Sequence, residues 1–282
     1  MSFSPLSSAQ AARKALADQL DRIRRDAGLS GLELAVRCGW HKSKSSRIAR
    51  GLTVPSDSDI RAWCTACGAS EKAADLIAAS RTAESMYTQW RDIHRDGMRR
   101  VHQKTLPLYQ RTRKFKVYAS NVMPGMTQTA PYASGLLRSI TSFQGTPDDV
   151  EDAVEARLAR SRVLHDAGRQ FALILEEAVL YYGVCGDGAL AGQLDHLLGI
   201  SSLSNVSVGV IPCRARRTVW PLEAFYVFDE SLVAVETLTA EINITAPGEI
   251  GTYLRAFAEL ARIAVHGAEA RSRIAKARSA LG

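Results

Sequence analysis

Between Leu29 and Gly51 the chain reads Leu-Ser-Gly-Leu-Glu-Leu-Ala-Val-Arg-Cys-Gly-Trp-His-Lys-Ser-Lys-Ser-Ser-Arg-Ile-Ala-Arg-Gly. Its second half gathers His41, Lys42, Ser43, Lys44, Ser46, Arg47 and Arg50. These are cations that can neutralise phosphates, hydroxyls that can bond phosphates or base edges, and arginine, whose forked donors fit guanine in the major groove. Ser43 and Arg47 stand one helical turn apart, so both can face one groove. The start of a helix there adds backbone amides and a partial positive charge. Ser30, which opens the preceding helix, completes the candidate DNA-contacting set. A basic helix that merely faces solvent is the alternative reading of the same residues.

Such side chains need short helices to present them, and the flanking residues supply the punctuation. Leu16, Leu20, Ile23 and Ala27 recur at helical spacing and Gly28 follows as a stop. Ser30-x-x-Glu33 has the form of a capping box, starting a helix that runs to about Cys38. Gly39-Trp40 turns the chain, His41 to Ala49 forms a second helix, and Gly51 ends it. Two short helices about a tight glycine turn are the helix-turn-helix arrangement. Leu32, Ala35 and Val36 are expected to pack the first helix inward, and Ile48 to anchor the second. Ser56-x-x-Asp59 caps a further helix that Gly68 closes, and another begins at Ser70.

The expected organisation is an all-α helix-turn-helix domain over residues 1–80, a basic helical connector over 81–112 and an α+β domain over 113–282. Met86, Trp90, Ile93, Gly97, Val101 and Leu108 give the connector its helical spacing, with a kink or restart at Pro107. Strands are expected near 114–119, 171–175, 206–211, 225–228, 232–236 and 241–245. Helices are expected near 131–139, 147–165 and 188–198, with a final helical region from Pro247.

The chain has 282 residues, 46% apolar and 23% charged, an ordinary globular composition. No stretch approaches the roughly 20 apolar residues of a membrane helix, and Met1 to Pro5 lacks the form of a signal peptide. A cytoplasmic protein is expected, away from membranes. Five scattered cysteines argue against a disulfide framework. The net charge of +7 is uneven. Residues 1–115 carry 21 Lys and Arg against 11 Asp and Glu, an excess of +10, whereas the remainder is −3. A basic first part joined to a mildly acidic second part points to a polyanion-binding module attached to something else.

Other motifs carry less. Cys64-x-x-Cys67 lacks a second ligand pair for zinc and reads as small residues on a buried helix. The histidines at 41, 94, 102, 165, 196 and 266 show no metal spacing. The glycine-rich Gly183 to Gly188 lacks the Lys-Ser/Thr of a phosphate loop. Glu176-Glu177 reads as a solvated strand end, Arg214-Ala-Arg216-Arg217 as a solvated loop or an anion contact, and Trp220, Phe225, Tyr226 and Phe228 as core. No catalytic constellation, metal or cofactor is expected.

Gly28-Leu29-Ser30, Glu33-Leu34-Ala35, Gly39-Trp40 and Ser43-Lys44-x-Ser46-Arg47-Ile48-x-x-Gly51, followed by Pro55, resemble the repressor/Cro-type (XRE) helix-turn-helix domain. The rest is similar to WhiJ-like actinobacterial regulators. That likeness runs through Trp90-Arg91, Arg113-x-Phe115, Pro124-Gly125-Met126-x-Gln128-Thr129-x-x-Tyr132-Ala133, Arg157-x-x-Arg160-Ser161-Arg162 and Val235 to Thr239. The resemblance implies a transcriptional regulator, sometimes antitoxin-like, with a small partner protein encoded nearby. It implies His41 at the cap of the recognition helix, Lys42, Ser43 and Arg47 toward bases, and Lys44 and Ser46 toward phosphates. The chain departs from that pattern at Gly31, where the family has Gln or Glu, at Ser45, usually apolar, and at Ala49, usually Glu.

The expected function is sequence-specific binding of double-stranded DNA by a non-enzymatic regulator acting as a homodimer. The alternatives are an antitoxin-like protein that sequesters a small partner, or a ligand sensor, of unknown effector, fused to a DNA reader.

Overall fold

The computed structural model describes residues 5–82, 87–89, 98–220, 223–238 and 240–282. They form two compact units, Met1–Tyr87 with Asn243–Ile250, and Thr88–Ile242 with Gly251–Gly282. Among the described residues no helix is long and apolar enough to cross a membrane.

Five helices make up most of the first unit: α1 (Pro5–Asp26), α2 (Gly31–Arg37), α3 (Lys42–Ala49), α4 (Asp57–Ala66) and α5 (Ala73–Thr82). Leu16, Leu20 and Ile23 form the inner stripe of α1, and they meet Leu34, Ile48, Ile60, Trp63, Leu76 and Ile77 in one core. The Trp63 indole N–H donates to the Leu20 carbonyl at 2.9 Å, so this large ring is buried with its one polar atom satisfied. Gly28, Gly39, Gly51 and Gly68 all have φ between 67° and 71°, left-handed backbone that glycine adopts without steric cost at a helix end.

The inward face of α2 differs from expectation. Leu34 and Ala35 are buried, whereas Leu32 is 55% and Val36 72% exposed. On a seven-residue helix residues 32 and 36 form one stripe and 34, 35 and 38 another, and apolar letters alone do not choose between them. The Ser30 cap sets the rotation: Ser30 Oγ accepts from Glu33 N, and Ser30 N donates to Glu33 Oε2 at 2.7 Å.

The second unit is built on a mixed sheet, in agreement with an α+β domain. The elements that follow α5 in the chain are β1 (Tyr87–Gln89), α6 (Met98–Arg111), β2 (Lys114–Ala119), α7 (Ala130–Gln144), α8 (Val150–Ser161), β3 (Gln170–Glu176), α9 (Asp187–Ile200), β4 (Val206–Ile211), β5 (Phe225–Phe228), β6 (Leu232–Glu236), β7 (Ala240–Ile244), α10 (Pro247–Ile263), β8 (Val265–His266) and α11 (Gly267–Ser279). Strand order is β1-β7-β6-β5-β2-β3-β4-β8. β2, β3 and β4 are parallel, and β5 lies antiparallel against β2. Phe115, Val117, Phe171, Leu173, Val208 and Val210 pack one face against Tyr109, Leu190, Leu194 and Ile274. On β2 and β5, Tyr118 meets Phe225, which packs against Tyr253 and Phe257 of α10.

The connector is not one helix. Tyr87–Gln89, rich in β-forming side chains, joins the sheet as an edge strand, and α6 continues through Pro107 without a restart. The connector residues Met86, Trp90, Ile93 and Gly97, and also His94 and Thr239, lie outside the described residues. Asp149, just before α8, caps α6 by accepting from the amides of Met98 and Arg99 at 3.0 and 2.8 Å. The final helical region is split by β8, whose His266 pairs with Gly209. A Cβ at residue 209 would lie 2.6 Å from the His266 ring, so the pairing needs glycine there.

Three other expectations change. Glu176 is buried rather than solvated, accepting from Tyr118 Oη at 2.8 Å and from both terminal nitrogens of Arg217 at 2.6 and 2.5 Å. Glu177 accepts from Arg273 at 2.9 Å and from the Cys213 amide at 2.8 Å. Trp220 is exposed, not core. Glu176 and Arg217 of the basic loop are thus each other's partners, a pairing across about forty residues that local pattern does not reveal.

Candidate nucleic-acid interface

The interface is carried by α3, held from beneath by two residues. Ile48 is fully buried, which stabilises the domain by roughly 2 kcal/mol. Ser45, 2% exposed, donates its hydroxyl toward the Gly31 and Lys42 carbonyls at 3.2 and 3.0 Å. An apolar side chain is usual at that position in the resembling family. Here the serine is compensated, because its hydroxyl bonds the start of α2 and ties the two helices of the motif together.

His41 is the N-cap of α3. Its ring accepts from the Ser43 amide at 3.3 Å and lies 2.8 Å from the Ser43 hydroxyl. Lys42, Ser43 and Arg47 are exposed, and among the described residues the side chains of Lys42 and Arg47 have no hydrogen-bond or ion-pair partner. Ser46 is half-buried. Arg50 is exposed, and its Nε donates to the Ser46 carbonyl at 3.2 Å. These residues come together on one helix as the spacing requires.

Lys44 and Ser30 are placed differently from the rest. Lys44 Nζ lies 2.6 Å from Asp59 Oδ1 and 4.6 Å from the centre of the Trp40 ring, and Trp40 in turn packs against Trp63 at 6.2 Å. Asp59 also caps α4 by accepting from Ser56 N at 3.1 Å. Partial burial raises the Asp59 carboxyl, but the hydrogen bonds from Lys44 and Ser56 outweigh it and hold the group below its ordinary value. Lys44 therefore joins α3 to the head of α4, with its charge already met inside the domain. The Ser30 hydroxyl is likewise engaged in its cap, where the bonds to Ser30 hold Glu33 below the usual carboxylate range. Sequence reasoning placed Asp59 only as a cap and Trp40 only in a turn. A cation fifteen residues before an acid on the next helix is the signal that could have joined them.

The Cys64 thiol is fully buried and pushed up to about 11 by that burial, and the Cys67 and Cys38 thiols are raised for the same reason. High thiol pKa values disfavour the thiolate that metal or redox chemistry requires. Among the described residues no group of three His, Cys, Asp or Glu is placed to hold a metal ion.

Comparison with known proteins adds two matches. Residues 15–77 match the model of a helix-turn-helix domain, and residues 105–276, more than half of the chain, match that of a domain of unknown function (DUF5753). No curated protein and no solved structure matches the chain.

Proposed function

The chain belongs to the family of the domain of unknown function DUF5753 and carries a helix-turn-helix DNA-binding domain, and from that premise we propose that it is a sequence-specific transcriptional regulator reading the major groove with α3. The observation that carries this reading is the contrast along one helix. Lys42, Ser43 and Arg47 are exposed, and the two cations among them are free of partners in the described residues, while Lys44, Ser45 and Ile48 fasten the helix to its domain. Arg47 is assigned to base recognition, Ser43 to a base edge or phosphate, and Lys42, Ser46 and Arg50 to the backbone. His41 orders the start of the helix.

Binding as a homodimer is part of the proposal, since one such module reads a half-site and paired modules match palindromic operators. The protein acts in the cytoplasm, without catalysis. Selection of bound fragments from genomic DNA tests the whole reading. A recurrent palindromic sequence with half-sites about one helical turn apart is the expected result, and recovery of fragments with no shared sequence would overturn it.

A further inference from the structure

Arg157 and Arg160 lie three residues apart in the last turns of α8, and among the described residues their side chains meet no acid. Arg160 is 7% exposed and Arg157 half-buried. Arg157 Nη1 donates to Gln128 Oε1 at 2.6 Å, Arg160 Nη1 donates to Thr105 Oγ1 at 2.7 Å, and the Arg160 guanidinium lies 4.5 Å over the Tyr109 ring. These neighbours are all neutral. The Nε of each arginine is buried with no acceptor, and among the described residues neither side chain has a carboxylate within ion-pair distance. Burial, with the adjacent Arg160 charge adding to it, lowers Arg157 to about 10, which leaves it charged at neutral pH.

Gly125 lies against both guanidiniums. It stands in the turn beyond the carboxyl end of β2, and a Cβ built on it would lie 3.4 Å from Arg160 Nη2 and 4.0 Å from Arg157 Cζ. Both guanidiniums thus converge on Gly125, each in ordinary contact with the place where a side chain would begin. Beside it the Tyr226 hydroxyl oxygen accepts from the Gly125 amide at 2.9 Å, so the phenolic proton is available to a further acceptor. Glu236 acts on Arg157 only at longer range, favouring its charged form without pairing with it.

Two neighbouring cations, one buried and one half-buried, are costly unless negative charge meets them, and arginine does not escape by losing its proton. We infer that Arg157 and Arg160, with Gly125 and Tyr226, form a binding site for a small ligand bearing an oxyanion, a phosphate or a carboxylate. The forked guanidinium matches such a group in geometry as well as charge. A place beyond the carboxyl end of a parallel strand is also where α/β sheets receive ligands. The inference does not depend on the DNA reading, since every residue in it lies in the second unit and the matched domain of unknown function.

The test is calorimetric titration of the full chain with inorganic phosphate and, in a second arm, with succinate. Arg157→Gln and Arg160→Gln are compared with the unaltered protein, and circular dichroism checks their folding. Gly125→Ala is the further variant. It keeps both arginines and sets a methyl group against the guanidiniums where a ligand would approach them, so it decides the matter if the glutamine variants do not fold. The expected result is binding of at least one anion, weakened about tenfold or more by each variant that folds; the arm that binds identifies the oxyanion class. Absence of binding in both arms, or equal binding by the folded variants, which would mean an adventitious ion only, overturns the inference.

Discussion

Lys42 and Lys44 are two residues apart on the same helix, yet their surroundings assign them opposite work. The exposed, unpartnered Lys42 should act on phosphates: Lys42→Ala should weaken binding to all duplexes alike and reduce the slope of log affinity against log salt by about 1. Lys44→Ala should leave that slope nearly unchanged and lower the melting temperature instead, through loss of the tie to Asp59. Because the folded Asp59 carboxyl is held below its unfolded value, its contribution is present above about pH 4 and lost as the pH falls through the lower folded value. The stability difference between wild type and Lys44→Ala should therefore shrink in acid. A melting temperature insensitive to Lys44→Ala at neutral pH would refute the assignment. Ser45→Ala should cost about 1 kcal/mol in denaturant unfolding by removing the hydroxyl that bonds the Gly31 carbonyl. Residue type and spacing made the candidate cations legible in the sequence. Which of them were already neutralised was not, because that depends on Asp59 and Trp40, brought near by the fold.

At the level of elements, the boundaries were the most legible feature. Glycines that must be left-handed stand at 28, 39, 51 and 68, and serine caps with acids three residues on stand at 30 and 56. Ser30→Ala should destabilise the first unit by about 1 kcal/mol through loss of its cap, while the salt slope of DNA binding stays as in wild type. An unchanged unfolding midpoint together with an altered slope would return Ser30 to the DNA-contacting set. Orientation was less legible than existence. The buried face of α2 is chosen by its cap and by contact with α3, so Leu32 and Val36 face outward although their types favour the core. In the stretch expected as a helical connector, Tyr87–Gln89 is a strand because hydrogen bonding at a sheet edge overrides a weak helical spacing.

For the molecule as a whole, the charge separation is the feature that sequence and structure share. The +10 excess of residues 1–115 includes the exposed cations of α3, while the remainder, at −3, holds most of the sheet and Arg157 and Arg160. The sheet itself was legible strand by strand. Its order was not, since β5 returns beside β2 after more than a hundred residues. A basic module alone predicts strong, salt-dependent binding to any duplex, so the claim of specific reading rests on α3 and above all on Arg47. Competition binding of wild type and Arg47→Ala to a sequence selected from genomic DNA, against a scrambled duplex at fixed salt, tests it most directly. Wild type should prefer the selected sequence by about a thousandfold or more, and Arg47→Ala should lose about 1–3 kcal/mol of that preference while its binding to scrambled DNA changes little. Equal loss on both duplexes, or no preference in wild type, would contradict the account.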